Sequence, residues 1–155
     1  MGDTQGGDSW STPGWLFDLL DNEFHFELDA AASLDNFKCF KFFTAETNAL
    51  TQDWSKYGSV FCNPPYSDPM PWVKKAIEET GKDTHCVVAL LLPSDTSTRW
   101  FKEAFQHAAE TRLIQPRIKF GGVSGSPRWG SVLFVFETKK RWQTVVLWDV
   151  GEEKK

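Results

Sequence analysis

Between Cys86 and Leu92 the chain reads Cys-Val-Val-Ala-Leu-Leu-Leu, with no polar residue until Pro93 and Ser94. A strand with one face in water alternates, so an unbroken apolar run marks a strand covered on both faces, inside a sheet that carries helices on each side. The neighbouring segments supply those helices. Asp68-Pro69 reads as a helix start, Trp72, Val73, Ala76 and Ile77 share one face, and Gly81 reads as the stop after Thr80. Ser97 or Thr98 opens a second helix to about Ala109. Further back, Thr12 is an N-cap candidate ahead of Pro13, and Trp15, Leu16, Leu19 and Leu20 recur at helical spacing over 13–22. Strands are expected at 24–28, near 40–43, at 59–62, 112–114 and 117–120, and at 131–137 and 143–148, the last two joined as a β-hairpin. Strand–helix alternation closed by a hairpin predicts one α/β domain with a mixed sheet. Such sheets bind ligands at the carboxyl ends of their strands.

Composition bounds the chemistry. A chain of 155 residues, 41% hydrophobic, can bury a core without covalent staples. Cys39, Cys62 and Cys86 are far apart and form no CxxC pair, so a zinc site is not expected; they suit buried thiols in a reducing compartment. There is no Walker loop and no GxGxxG, and His25, His85 and His107 stand in no nucleophilic motif. No apolar run approaches ~18 residues. The polar stretch 1–8 is read as a flexible N-terminus rather than a signal peptide, and 151–155 as a disordered tail. A net charge of −4 does not favour a nucleic-acid binder. Yet residues 112–141 gather Arg112, Arg117, Lys119, Arg128, Lys139, Lys140 and Arg141 against the single acid Glu137. That pattern fits a basic face, or charges scattered along sheet edges.

Asn63-Pro64-Pro65-Tyr66 follows the apolar strand Val60-Phe61-Cys62. The Asn oxygen can accept from an exocyclic amine, each proline fixes its own φ, and Tyr66 offers a face for stacking. These parts suit a flat, amine-bearing ring held by edge and face, as enzymes that modify a nucleobase amine require. The alternative is a proline-rich turn. Other residues fall at strand ends with it. Asp29 precedes three alanines, which let a ligand approach the backbone; it can equally cap the next segment. Asp53-Trp54 can hold an adenine by hydrogen bond and stacking, or form an Asx-turn beside a core indole. Ser94-Asp95-Thr96 follows the central strand and can simply cap the next helix.

Taken together, Trp10-Ser-Thr-Pro13, Leu28-Asp-Ala-Ala-Ala32, Asn36–Cys39, Trp54, Cys62-Asn-Pro-Pro-Tyr66, Trp72–Ala76, Leu92-Pro-Ser-Asp-Thr96, Trp100-Phe101 and Arg117-Ile-Lys-Phe120 resemble the phage-type DNA N6-adenine methyltransferases, a short Dam-like family, over about residues 9–137. The resemblance implies a single-domain Rossmann-like fold over 9–150 that uses S-adenosyl-L-methionine. It would methylate the exocyclic N6 amine of adenine in double-stranded DNA by base flipping, without a metal, in the host cell cytoplasm. Protection of phage DNA from restriction is the expectation at family level. Asn63, Pro64, Pro65 and Tyr66 would be catalytic, with Asn63 and the Pro64 carbonyl binding the amine. Trp10, Thr12, Pro13, Asp29, Ala30, Ala31, Asp53, Trp54 and Asn63 would hold the cofactor, Asp53 at its adenine. Ser67, Ser94, Thr96, Arg117, Arg128 and Trp129 would meet DNA. Larger relatives carry glycines in the first cofactor loop, where this chain has Asp29-Ala-Ala-Ala32, as its short family does. Over these 155 residues no separate target-recognition domain is expected, so sequence choice would fall to loops 121–130 or 33–50. The same motif also serves methyltransferases of other amines (cytosine N4, RNA, protein glutamine), and an inactive binding module on this frame is a third reading.

Overall fold

In a computed structural model, residues 11–120 and 128–151 are described. Their elements run α1 (Gly14–Phe24), β1 (Leu28–Asp29), β2 (Lys41–Phe42), a 3-10 turn (Ala49–Thr51), β3 (Ser59–Cys62), α2 (Met70–Lys82), β4 (Val87–Pro93), α3 (Arg99–His107), β5 (Glu110–Gln115), β6 (Ser131–Phe136) and β7 (Thr144–Asp149). The strands form one sheet in the order β2-β1-β3-β4-β6-β5-β7. All neighbours are parallel except β6, which runs antiparallel to both β4 and β5. This is the mixed α/β sheet expected, in a Rossmann-like methyltransferase arrangement. The readings for residues 1–8 and 152–155 fall outside the described residues.

β4 shows why the sheet is covered twice. Val88, Leu90 and Leu92 enter one buried cluster with Val73 and Ala76 of α2 and Phe101 and Ala104 of α3. Ala89 and Leu91, pointing the other way, enter a second with Leu16, Phe17 and Leu20 of α1. Successive residues of a strand face opposite sides, so an unbroken apolar run is what two covered faces demand.

Four expectations are corrected. The last two strands are not hydrogen-bonded to each other, because β5 lies between them. β6 is buried along its whole length and needs a neighbour on each side, whereas β7 is an exposed edge. Gly81 does not stop α2; Lys82, paired with Glu78 and Glu79, carries the helix one residue past it. The strand expected at 24–28 is only Leu28–Asp29, since α1 continues to Phe24 and Asp21 Oδ1 accepts from the Phe26 N–H at 2.8 Å. Residues 117–120 form no strand after Pro116.

Candidate functional site

β1 and β3 lie side by side and parallel, so Asp29 and Asn63 emerge at the same edge of the sheet. Backbone bonds fix the turn after β1: Ala30 N–H to Phe61 O at 2.9 Å, Ala32 N–H to Phe43 O at 2.8 Å. The alanines keep this turn low, and above it opens a cavity of about 580 Å³. Its walls come from Ser11, Ala30–Ser33, Asp35 and Asn36, from Thr44, Ala45, Asn48 and Ala49, and from Asn63, Pro65 and Trp72. That volume is in the range that holds a drug-sized ligand.

Asp29 does not line this cavity. It faces a neighbouring polar hole of about 20 Å³, shared with Ser11, Thr12, Asn36, Lys38 and Asn63. Asp29 is 3% exposed, and its oxygens accept from the Lys38 N–H at 3.0 Å and the Ala31 N–H at 3.3 Å. Burial outweighs these bonds and the nearby Lys38 charge, and pushes the carboxyl up to about 6.

Asn63 stands between the cavity and an aromatic corner. Its Nδ2 donates to Thr12 Oγ1 at 3.0 Å, and its Oδ1 accepts from the Tyr66 hydroxyl at 2.7 Å. Tyr66 meets Phe120 edge-on, with ring centroids 6.3 Å apart. Burial pushes the Tyr66 phenol above its ordinary range, so it stays a donor. Pro64 is buried beneath, and Pro65 turns to the cavity wall.

Other expected residues fall differently. Asp53 and Trp54 are not at the cavity. Asp53 is exposed and closes an Asx-turn on Ser55, whose N–H and Oγ lie at 2.9 and 2.6 Å; the Ser55 hydroxyl leads in holding its carboxyl below the usual range. Trp54 is fully buried, and its indole N–H is committed to Ala49 O at 2.9 Å. Pro13 caps α1 by backbone and lines neither pocket. Thr12, expected to cap that helix, serves Asn63 instead. Trp10 lies outside the described residues.

Ser94 N–H bonds Gly130 O at 2.9 Å, and a Cβ on Gly130 would sit 3.0 Å from Ser94 Oγ. This close approach brings Arg128 and Trp129 beside the end of β4, with the guanidinium 5.7 Å from the indole ring. Ser67, Thr96 and Arg117 are exposed. Asp95 closes an Asx-turn on the Ser97 N–H and does not cap α3; Thr98 does, its Oγ1 accepting from the Phe101 N–H at 3.2 Å. Asp35, Asn48 and Trp72 are cavity residues that the sequence reading missed. Trp72 looked like one more apolar position on α2. Asn48 takes a left-handed backbone, φ 49°, which Asn tolerates better than most residues. Among the described residues no cluster of three His, Cys, Asp or Glu could hold a metal.

A family model described as DNA N-6-adenine-methyltransferase (Dam) matches residues 3–148. The chain is 47% identical over 109 residues to the DNA N-6-adenine-methyltransferase of Escherichia phage T1, covering 70% of this chain and 45% of that protein. It is 41% identical over 117 residues to the DNA N-6-adenine-methyltransferase of Haemophilus phage HP1 (strain HP1c1), covering 73% of this chain and 66% of that one. The match thus spans under half the length of one relative and just under two thirds of the other.

Proposed function

The chain belongs to the DNA N-6-adenine-methyltransferase (Dam) family, and from that premise we propose that it transfers a methyl group from S-adenosyl-L-methionine to the N6 amine of adenine in double-stranded DNA. The observation that carries this reading is the position of Asn63: a carboxamide held at a strand end, with a ligand-sized cavity on one side and Tyr66 with Phe120 on the other. When bound, the cofactor supplies a methyl group on a sulfonium centre. The cavity's size, its alanine turn and its polar walls fit such a molecule. Asp29 would accept from the cofactor's amine through the polar hole; a buried carboxylate that gains a cation on binding suits that task. Asp35, Asn36, Thr44 and Asn48 supply polar groups along the wall in place of Asp53 and Trp54.

An adenine turned out of its duplex would lay its amine against Asn63 Oδ1 and the Pro64 carbonyl. A carboxamide oxygen accepts two hydrogen bonds, so the Tyr66 bond and one from the amine are compatible. Two acceptors on the amine hydrogens aim the nitrogen lone pair away from them. The nitrogen can shed its proton after attack, so positioning supplies most of the rate. Tyr66 would flank the base with its ring, and Ser67, Ser94, Thr96, Arg117, Arg128 and Trp129 would meet the surrounding DNA. Residues 9–150 would act as one domain, in the host cytoplasm; no helix among the described residues is long and apolar enough to cross a membrane.

The test is to incubate the protein with methyl-labelled S-adenosyl-L-methionine and unmethylated duplex DNA, then digest and separate the nucleosides. Label in N6-methyladenine is expected. Label in N4-methylcytosine, or only in RNA or protein offered in parallel, would overturn the assignment.

A further inference from the structure

Asn63 is gripped at both ends of its side-chain amide by hydroxyls, one from Tyr66 three residues on and one from Thr12 near the start of the described chain. Nδ2 donates to Thr12 Oγ1 at 3.0 Å and Oδ1 accepts from the Tyr66 hydroxyl at 2.7 Å. Thr12 is only 5% exposed. It precedes α1 where an N-cap threonine would stand, yet Pro13 takes the cap position and no side-chain cap bond forms there. The Thr12 hydroxyl is therefore spent on Asn63, 51 residues away in sequence. The segment is firmly mounted, because α1 buries Leu16, Phe17 and Leu20 against the sheet.

This grip matters because a carboxamide has nearly the same shape when turned over, with donor and acceptor exchanged. Turned over, Asn63 would offer N–H to the amine it has to accept from, and two donors would face each other. The two hydroxyls select against that. A phenol is the stronger acid, hence the better donor and the poorer acceptor; an aliphatic hydroxyl is the reverse. The phenol meets the oxygen and the threonine meets the NH2, which is the pairing that keeps Oδ1 in its accepting role.

We propose that Thr12 is a positioning residue for methyl transfer: its hydroxyl fixes the Asn63 carboxamide with the oxygen toward the acceptor amine, so that turnover depends on it. This rests on the methyltransferase reading above and assigns Thr12 a task other than holding the cofactor.

The experiment compares Thr12→Val, which keeps the shape and removes the acceptor, with Thr12→Ser, which keeps the acceptor. Turnover is measured at saturating cofactor and DNA, cofactor Kd by calorimetry, and solvent exchange of the Asn63 side-chain NH2 by NMR, that signal being identified by its loss in Asn63→Ala. Thr12→Val is expected to lower kcat about 10- to 100-fold, the range for a small misplacement of a reacting group. Its cofactor Kd should stay within about threefold, and the Asn63 NH2 should exchange at least about tenfold faster, as expected when a protecting hydrogen bond is lost. Thr12→Ser should recover most of both losses. Unchanged kcat in Thr12→Val overturns the proposal. So does a loss that extra cofactor fully restores, which makes Thr12 a cofactor contact. If the unaltered protein methylates no DNA, the methyltransferase reading fails on its own, and the NMR arm still decides whether Thr12 holds Asn63: equal exchange in both proteins rejects it.

Discussion

Asp29 keeps a carboxylate where charge is disfavoured. Burial raises it from 3.8 to about 6, against two backbone N–H bonds and the Lys38 charge. Because the folded-state value lies above the unfolded one, the folded protein binds the extra proton. Stability from this group therefore falls as pH climbs from about 4 to about 6, and the full cost stands at neutral pH. A shift of this size corresponds to at most roughly 3 kcal/mol. Asp29→Asn removes the charge but turns one N–H bond into a donor clash, so a net gain of about 1 kcal/mol at pH 7.5 is expected, turning into a net loss of about 1 kcal/mol at pH 4.5, where most of the charge cost is gone. Cofactor affinity should fall at the same time. Urea titrations at the two pH values check this, and a variant less stable than the parent at pH 7.5 would contradict the account. At Asn63 the expected pattern is reversed: Asn63→Ala should cut turnover by about two orders of magnitude or more, with cofactor binding nearly intact in calorimetry. Equal loss of both would remove Asn63 from the amine's side of the site. Both residues stood out in the sequence as breaks in a strand pattern, Asn63 after the apolar Val60-Phe61-Cys62 and Asp29 after Leu28 at the end of an alternating segment. Asp53-Trp54 misled because an acid beside an indole has the same sequence whether the ring faces a ligand or the core, and only the partner of the indole N–H, Ala49 O, separates the two.

That partner belongs to a larger arrangement centred on α2. Glu79 is fully buried near the end of the helix. Its Oε1 accepts from the Trp54 N–H at 2.9 Å and pairs with Lys75 at 2.9 Å, while Oε2 lies 2.6 Å from Lys82. Burial pushes this carboxyl up, but the bonds from Lys82 and Lys75 and the Trp54 N–H outweigh it and hold it below its usual range. Lys75 in turn lies 5.8 Å from the Trp54 ring. The helix thus locks Trp54, and Trp54 holds the Ala49 turn that walls the cavity. Glu79→Ala leaves a buried lysine and a buried N–H without their partner. We expect a loss of about 3–5 kcal/mol in denaturant titration, with weaker cofactor binding in what remains folded; a loss under about 1 kcal/mol would mean water takes over these bonds. None of this was readable beforehand. Lys75, Glu79 and Lys82 look in sequence like the solvated face of an amphipathic helix, and Gly81 like its end. The edge of the sheet teaches a similar lesson. Val132-Leu-Phe-Val-Phe136 is as unbroken as β4 and, by the same logic, had to have strands on both sides, whereas two strands joined by a short polar turn suggested a hairpin. As an outer strand, β7 should show amide exchange several orders of magnitude faster than β4. Comparable protection in the two would mean that another chain or segment covers the edge.

At the scale of the molecule, a net charge of −4 has to be reconciled with the polyanionic substrate proposed above. The basic run 112–141 is less available than its composition suggests. Arg112 is 8% exposed, bonded to Glu23 and Glu110, and stacked 4.9 Å from Trp148, so it ties α1 to β5 and β7. Lys140 pairs with Glu110 at 3.3 Å. Cations near the Asn63 edge of the sheet, besides Lys38 in the polar hole, include Arg117 and Lys119, which lead into the Phe120 contact with Tyr66, and Arg128, brought in by the Ser94–Gly130 bond. A duplex bound there would meet about three phosphate-neutralising side chains, and each contributes about −0.9 to the slope of log affinity against log salt. The expected slope is then about −2 to −3, shallow for a DNA-binding protein, and anisotropy titrations of a labelled duplex across a salt series would measure it. Replacing Arg128 by Gln should reduce the slope by about one. A slope steeper than about −5 would require more cations than this edge presents and would shift the DNA footprint toward Lys139 and Arg141. If the slope is that shallow, discrimination has to come from the pocket proposed to receive the base, and weak, sequence-tolerant binding should accompany selective turnover.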